Sequence, residues 1–179
     1  MRLFLALDFE EAVKDELENA CGRLRRMCVS GNFTRRENLH LTLVFLGETA
    51  PERLPELRRI LEGTDSAAFP VDFSRMGRFP RRGGDIYFAA ARKSPELSAL
   101  YQSLSGRLRR AGYLVEEREY VPHLTLAREA VLLDGILPRD AERIPVNIHA
   151  RAGEVALMRS DRIRGRLVYS KIFVKQLKG

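Results

Sequence analysis

Apolar positions along the chain alternate between two periods. Residues 2–9, "RLFLALDF", form a short apolar run that fits a buried strand. Behind it Val13, Leu17, Ala20/Cys21, Leu24 and Cys28 recur at the interval of an amphipathic helix. Residues 39–46 return to strand pattern and stop at Gly47. "PERLPELRRILEG" then opens on Pro51, carries Leu54, Leu57 and Leu61, and ends at Gly63, a second helix. "FPVDFSRMGRFP" and "DIYFAAAR" read as strands flanking a turn at 81–84, where adjacent glycines permit positive φ.

The second half repeats this grammar. "SPELSALYQSLSGRLRRAG" has a Ser94 cap, Pro95 at the first helical position, Leu97, Leu100, Leu104 and Leu108 on one face, and Gly112 at its end. Four strand-like segments follow: "HLTLA", "IPVNIHA", "GEVALMRS" and "RLVYSKIFVKQL". Nothing between the halves reads as a linker, so residues 1–179 are expected to form one domain. The mixture predicts an α+β fold: two pseudo-symmetric lobes of mainly antiparallel sheet, with outer helices, around a central cleft.

One polar interruption recurs. His-Leu-Thr-Leu occurs at His40 and again at His123, so two of the three histidines lie in identical tetrapeptides. Side chains alternate along a strand, which puts His40, Thr42 and Val44 on one face and Leu41, Leu43 and Phe45 on the other. The same parity joins His123 to Thr125. Facing lobes would bring two imidazoles and two hydroxyls into one site. Imidazole titrates near 6.5 and can take a proton from a nucleophile or give one to a leaving oxygen; the hydroxyls can donate to phosphate oxygens as charge redistributes. That combination suits phosphodiester cleavage. A single strand histidine is ordinarily a hydrogen-bonded structural residue, and the duplication is what lifts this pair above that reading. His149, in "VNIHARAG", has no threonine partner and keeps the structural reading.

The chain carries 31 Lys+Arg against 24 Asp+Glu, a formal charge of +7, which favours polyanionic partners. The basic runs "RLRRM", "RRE", "RFPRRGGD", "RLRR" and "RSDRIRGR", each taken singly, read as solvated faces or turns. Cys21 and Cys28 are seven apart, a spacing that suits neither a zinc knuckle nor a redox pair, so free thiols in a reducing compartment are expected. The N-terminal apolar run is broken by Asp8 and does not read as a signal peptide. No apolar run approaches the roughly 20 residues of a membrane span, so a cytoplasmic location is expected.

With these motifs the chain resembles the two-histidine phosphoesterase superfamily. Within it the chain is similar to the RNA 2′,3′-cyclic phosphodiesterases, also called 2′-5′ RNA ligases. The resemblance runs from "MRLFLALDF" through "RRENLHLTLVFLGE", "MGRFP" and "PHLTLAR" to "LMRSDR" and "GRLVYSKIF". It departs chiefly at "RSD", where many relatives carry an acidic residue before the serine. The resemblance implies His40 and His123 as the catalytic pair and Thr42 and Thr125 as phosphate-binding hydroxyls. It implies His40 as the acid protonating the departing 3′-oxygen, His123 as the base activating water, and a terminal 2′-phosphate as product. No cofactor or metal is implied. The implied partners are RNA ends bearing 2′,3′-cyclic phosphate, tRNA fragments among them, or small cyclic nucleotides, with the protein a monomer. Arg128 follows the second motif and is a candidate phosphate contact, although strict parity turns it to the opposite face unless the strand bulges or ends there.

Two other readings stay open. His40, His123 and His149 could bind zinc with an acidic residue, which leaves the repeated threonine unexplained. A non-catalytic module could hold RNA ends in the same cleft, which leaves two groups of near-neutral pKa without a task. Ligation through a 2′-5′ linkage would be hydrolysis reversed; no Gly-rich phosphate loop or adenylation lysine is visible to drive it.

Overall fold

The computed structural model describes residues 1–117 and 119–179. Its elements run β1 (Arg2–Leu7), α1 (Glu11–Arg25), β2 (Cys28–Phe33), β3 (Leu41–Glu48), α2 (Leu54–Glu62), β4 (Phe69–Phe79), β5 (Asp85–Ala91), α3 (Pro95–Arg110), β6 (His123–Leu132), α4 (Pro138–Glu142), β7 (Ile148–Ala152), β8 (Glu154–Ile163) and β9 (Arg166–Gln176). The strands form two antiparallel sheets, ordered β3-β1-β8-β9 and β2-β6-β5-β4-β7. Laid side by side, the orders match β3 to β6, β1 to β5, β8 to β4 and β9 to β7, with β2 added outside β6. The expected pair of pseudo-symmetric lobes is thus visible in the topology, each motif strand lying beside the strand that precedes the helix before it.

Packing follows the apolar periods. Leu3, Leu5 and Leu7 of β1 are fully buried in one cluster with Leu17 and Leu24 of α1, Phe73 and Tyr87 of the second sheet, and Leu100 and Leu104 of α3. Burying a leucine side chain stabilises by roughly 1.5–3 kcal/mol, so β1 alone ties its lobe firmly to the core. The opposite face of β1 carries Phe4 and Ala6, which form a second small cluster with Ala156 and Met158 of β8. On that face the Phe4 ring packs beside His40. The Ser94 hydroxyl accepts from the Leu97 N–H at 3.1 Å and Pro95 opens α3, as the sequence predicts.

Two local readings need correction. The helical period of α1 extends on paper to Cys28, but α1 ends at Arg25 and Cys28 opens β2. Pairing with β6 overrides the helical period there, and the Leu133 N–H donating to the Met27 carbonyl at 2.9 Å holds the turn. The short helix α4 and the edge strand β2 carry too few apolar positions to register as periods. Both cysteines are free; burial pushes the Cys21 thiol up to about 11. Among the described residues no helix is long and apolar enough to cross a membrane.

Candidate active site

His40 stands at the threshold of β3. Its Nδ1 lies 2.7 Å from the Asn38 carbonyl oxygen, and its Nε2 lies 3.1 Å from Thr42 Oγ1. A carbonyl can only accept, so the proton sits on Nδ1 and Nε2 is the atom left to exchange protons; in the neutral ring the Thr42 hydroxyl donates to it. His123, the first residue of β6, repeats the arrangement with its Nδ1 2.7 Å from the Val121 carbonyl oxygen. In both motifs the carbonyl two residues upstream fixes the same tautomer.

Each imidazole is seated in an aromatic corner. Phe4 and Tyr169 flank His40 at 4.8 and 5.0 Å between ring centres, and Phe88 and Phe79 flank His123 at 5.1 and 5.2 Å. Phe4 on β1 and Phe88 on β5 occupy matching strands of the two sheets. Withdrawal from solvent is the main reason the His40 imidazole is pushed down to about 4. The positive charges of Arg128 and His123 act in the same direction, while the Asn38 carbonyl and Asp8 oppose them. His40 is therefore neutral at pH 7 before any ligand arrives.

Asn38 organises this side of the cleft. It is buried, its amide nitrogen donates to the Leu167 carbonyl at 3.0 Å, and its amide oxygen accepts from the Tyr169 N–H at 3.2 Å. One residue thus holds the His40 ring through its backbone and β9 through its side chain. The lobes are also tied directly: the Tyr120 hydroxyl, just ahead of the second motif, donates to the Thr42 carbonyl at 3.1 Å, and Tyr120 stacks on Tyr101 of α3 at 4.1 Å.

Two β-bulges revise the parity expected from the sequence. Between Ala6↔Thr42 and Leu5↔Val44 the register skips Leu43, so Leu43 and Val44 both enter the core and Phe45 turns to the cleft, stacked on Phe4 at 5.7 Å. Val44 does not share the face of His40, and Phe45 does. On β6 the register skips Leu126 between Phe88↔Thr125 and Tyr87↔Ala127, and Leu126 and Ala127 are both fully buried. The extra residue is held because its carbonyl accepts from the Thr34 N–H at 2.8 Å and from the Cys21 thiol at 3.4 Å. Beyond it Arg128 faces the cleft, and its guanidinium donates to Thr125 Oγ1 at 3.5 Å. Strict alternation would have placed it on the other side.

His40, Thr42, His123, Thr125 and Arg128 line one cleft of about 890 Å³, within the range of a small-ligand site. His149 is not among them. It lies on β7, largely exposed, with Nδ1 donating to Asp72 of β4 at 2.7 Å. Among the described residues no group of three or more His, Cys, Asp or Glu side chains is placed to hold a metal ion, so the donor set required by the zinc reading is not assembled. Sequence reasoning missed Asn38, Tyr120, Tyr169 and the Phe79–Phe88 pair. Their signal is present only as neighbours in the segments "RENLH", "EYVPH", "VYSKIF", "MGRFP" and "DIYFAAAR".

A family model described as the 2′-5′ RNA ligase superfamily matches residues 13–164. The chain belongs to that superfamily. The Thermotoga maritima RNA 2′,3′-cyclic phosphodiesterase is 31% identical to this superfamily member over 133 residues, 72% of this chain and 70% of the relative. The protein of the same name from Methanothermobacter thermautotrophicus is 28% identical over 189 residues, 99% of both chains. Escherichia coli LigT, solved in complex with 3′-AMP, superposes with a TM-score of 0.82 at 25% identity, covering 99% of this chain and 98% of LigT.

Proposed function

We propose that this 2′-5′ RNA ligase superfamily member hydrolyses terminal 2′,3′-cyclic phosphates of RNA to 2′-phosphate ends, with residues 1–179 acting as one two-lobed catalytic unit. The observation that carries the reading is the repeated geometry: two imidazoles, each locked with its proton on Nδ1, in one cleft with Thr42, Thr125 and Arg128. The names of the similar phosphodiesterases and the nucleotide in the LigT complex support it. RNA ends are favoured over small cyclic nucleotides by the positive charge of the chain.

The reaction is in-line attack of water on phosphorus. His123 Nε2 takes the proton from water, the bond from phosphorus to the 3′-oxygen breaks, and His40 Nε2–H gives its proton to that oxygen. His40 is neutral in the free protein, so it takes up this proton as substrate binds; a phosphate anion a few ångströms away favours the imidazolium and offsets desolvation. Protonation also turns Nε2 from acceptor to donor. That frees the Thr42 hydroxyl to donate to a non-bridging oxygen, as Thr125 and the Arg128 guanidinium do from the other lobe. With the terminal hydroxyl of a second RNA in place of water as the nucleophile, the same steps would open the cyclic phosphate into a 2′-5′ linkage, the 3′-oxygen again leaving with the proton from His40, but the abundance of water favours hydrolysis.

The test is to incubate the protein, with chelator present, with an oligonucleotide ending in 2′,3′-cyclic phosphate in ¹⁸O-water. The expected product is a labelled 2′-phosphate that resists a 3′-specific phosphatase and yields to a non-specific one. A labelled 3′-phosphate would reverse the orientation of substrate between the histidines, and loss of turnover in chelator would revive a metal site. Thr42→Ala and Thr125→Ala should each lower kcat by roughly 10–100-fold, the effect of removing one transition-state donor worth a few kcal/mol or less.

The pH profile carries a sign. kcat/KM reports the free protein, of which only the minor form with the proton on His40 and none on His123 Nε2 is poised to react. The profile should be bell-shaped, with its acid limb near the His40 value of about 4, where the pair takes up a second proton. On the alkaline side activity falls as the last proton leaves. Because bound phosphate raises His40, the alkaline limb of kcat should lie at higher pH than that of kcat/KM. A profile rising to an alkaline plateau would mean that no imidazole serves as the acid.

A further inference from the structure

Several arginines of this chain are held by carboxylates. Arg36 binds Glu11, Asp15 and Glu18; Arg78 binds Asp85 and Glu142; Arg53, Arg58 and Arg159 each hold a neighbouring carboxylate. The tip of the β8–β9 hairpin carries a cluster that is not held in this way. Arg162, Arg164 and Arg166 are exposed within five residues of one another, and among the described residues none forms an ion pair; the polar contact of Arg162 is to the Gly165 carbonyl at 3.3 Å. Like charges crowded without counter-ions repel, and here three of them stand together on one exposed hairpin end.

The backbone of the tip points the same way. Its two central residues are Arg164 at φ 48 and Gly165 at φ 77, the left-handed pair of a tight hairpin turn, where asparagine or glycine fits with least strain. An arginine there puts its charge at the apex at a conformational cost. Beside the apex runs a shallow groove lined by Arg35, Ile163, Arg164, Arg166 and Val168. From the apex, β9 leads back to the reaction centre. Arg166 is three residues from Tyr169, about 10 Å at strand spacing, and the Tyr169 ring is 5.0 Å from His40. The unpaired charges therefore stand within one or two nucleotide lengths of the histidines.

We propose that the β8–β9 hairpin tip is a second phosphate-binding site, which holds the backbone of an RNA strand on the 5′ side of its terminal cyclic phosphate. The inference rests on the reaction proposed above and adds a substrate preference: oligonucleotides over mononucleotide cyclic phosphates. Regularly spaced backbone phosphates match a row of arginines, and contacts of this kind carry affinity without base selectivity.

The test compares two substrates, adenosine 2′,3′-cyclic phosphate and an eight-nucleotide RNA ending in 2′,3′-cyclic phosphate. The proteins are the full chain and its R162Q/R164Q/R166Q variant, whose replacements are all exposed. The full chain should favour the octamer by about 10-fold or more in kcat/KM, and the variant should lose most of that preference while turning over the mononucleotide within two-fold of the parent. Binding of an octamer ending in 2′-phosphate, measured against salt, should lose about 2 from the slope of log K on log salt, at roughly 0.7 per phosphate contact on a single strand. Equal turnover of both substrates by the parent, equal losses on both in the variant, or competition by polyglutamate as effective as that by RNA would overturn the proposal. A protein that hydrolysed neither substrate, yet bound the octamer through these arginines, would sink the proposed reaction and support the site.

Discussion

Replacing His40 or His123 with alanine should lower turnover of a 2′,3′-cyclic phosphate by about 10²–10⁴-fold, the usual contribution of one positioned acid or base. The two losses should not multiply in the double variant, since the histidines serve opposite sides of one phosphorus and the reaction fails when either is gone. Both rings are partly packed against aromatic neighbours, so alanine also removes contacts with Phe4 and Tyr169 or with Phe79 and Phe88. Glutamine at each position fills most of that space without a titrating group. The check is single-turnover kinetics of the alanine and glutamine variants alongside their thermal melts. Native melting with the stated loss supports the pair, and full activity in either variant ends it. His149→Ala, remote from the cleft, serves as the control and should leave turnover unchanged.

Gly77→Ala should have the next largest effect, although the residue touches no substrate. Gly77 of β4 pairs with Phe88 of β5, and a Cβ at Gly77 would lie 2.3 Å from the Phe88 ring. No carbon contact is that short, so the ring has to move. Phe88 is wedged between Phe79, stacked at 4.3 Å, and His123, and a shift reaches the imidazole directly. Misplacing a reacting group by about 1 Å is enough to cost roughly 10²-fold, and overpacking of this kind destabilises by about 1–3 kcal/mol. Gly77→Ala should therefore lower kcat by about 10²-fold and reduce the unfolding free energy. A partner change of Phe88→Leu, which clears the space, should restore stability more than turnover, because the flat face against His123 is not rebuilt. An unchanged kcat in Gly77→Ala would show that the aromatic corner does not set the position of His123.

The parts of this molecule that depend on short-range pattern were legible in the sequence. The Ser94–Pro95 start of α3, the strand at β1 and the lone position of His149 follow from local spacing, and the repeated tetrapeptide is itself enough to suggest that the two histidines share a cleft. What strict alternation could not supply was the register. Whether Leu43 or Leu126 is skipped depends on the partner strand and on what holds the extra residue, here the Thr34 N–H and the Cys21 thiol from distant segments. For that reason strict alternation inverts the faces of Val44 and Phe45 and does not decide between two orientations of Arg128. Cys28 failed differently: its helical spacing was real, but its backbone is taken by β6. The aromatic corners and Asn38 join segments as much as 131 residues apart, beyond the reach of any periodicity.

Asn38 has a consequence outside chemistry. β9 is the terminal strand of its sheet, and a terminal strand presents a row of unsatisfied N–H and C=O groups that another chain can extend. The Leu167 carbonyl and the Tyr169 N–H, spaced as a further strand would meet them, are already occupied by the Asn38 amide. The side chain thus imitates a single peptide unit of a missing neighbour and stops the sheet from growing at that point. The loop that delivers His40 to the cleft is also the stopper that guards this edge against self-association.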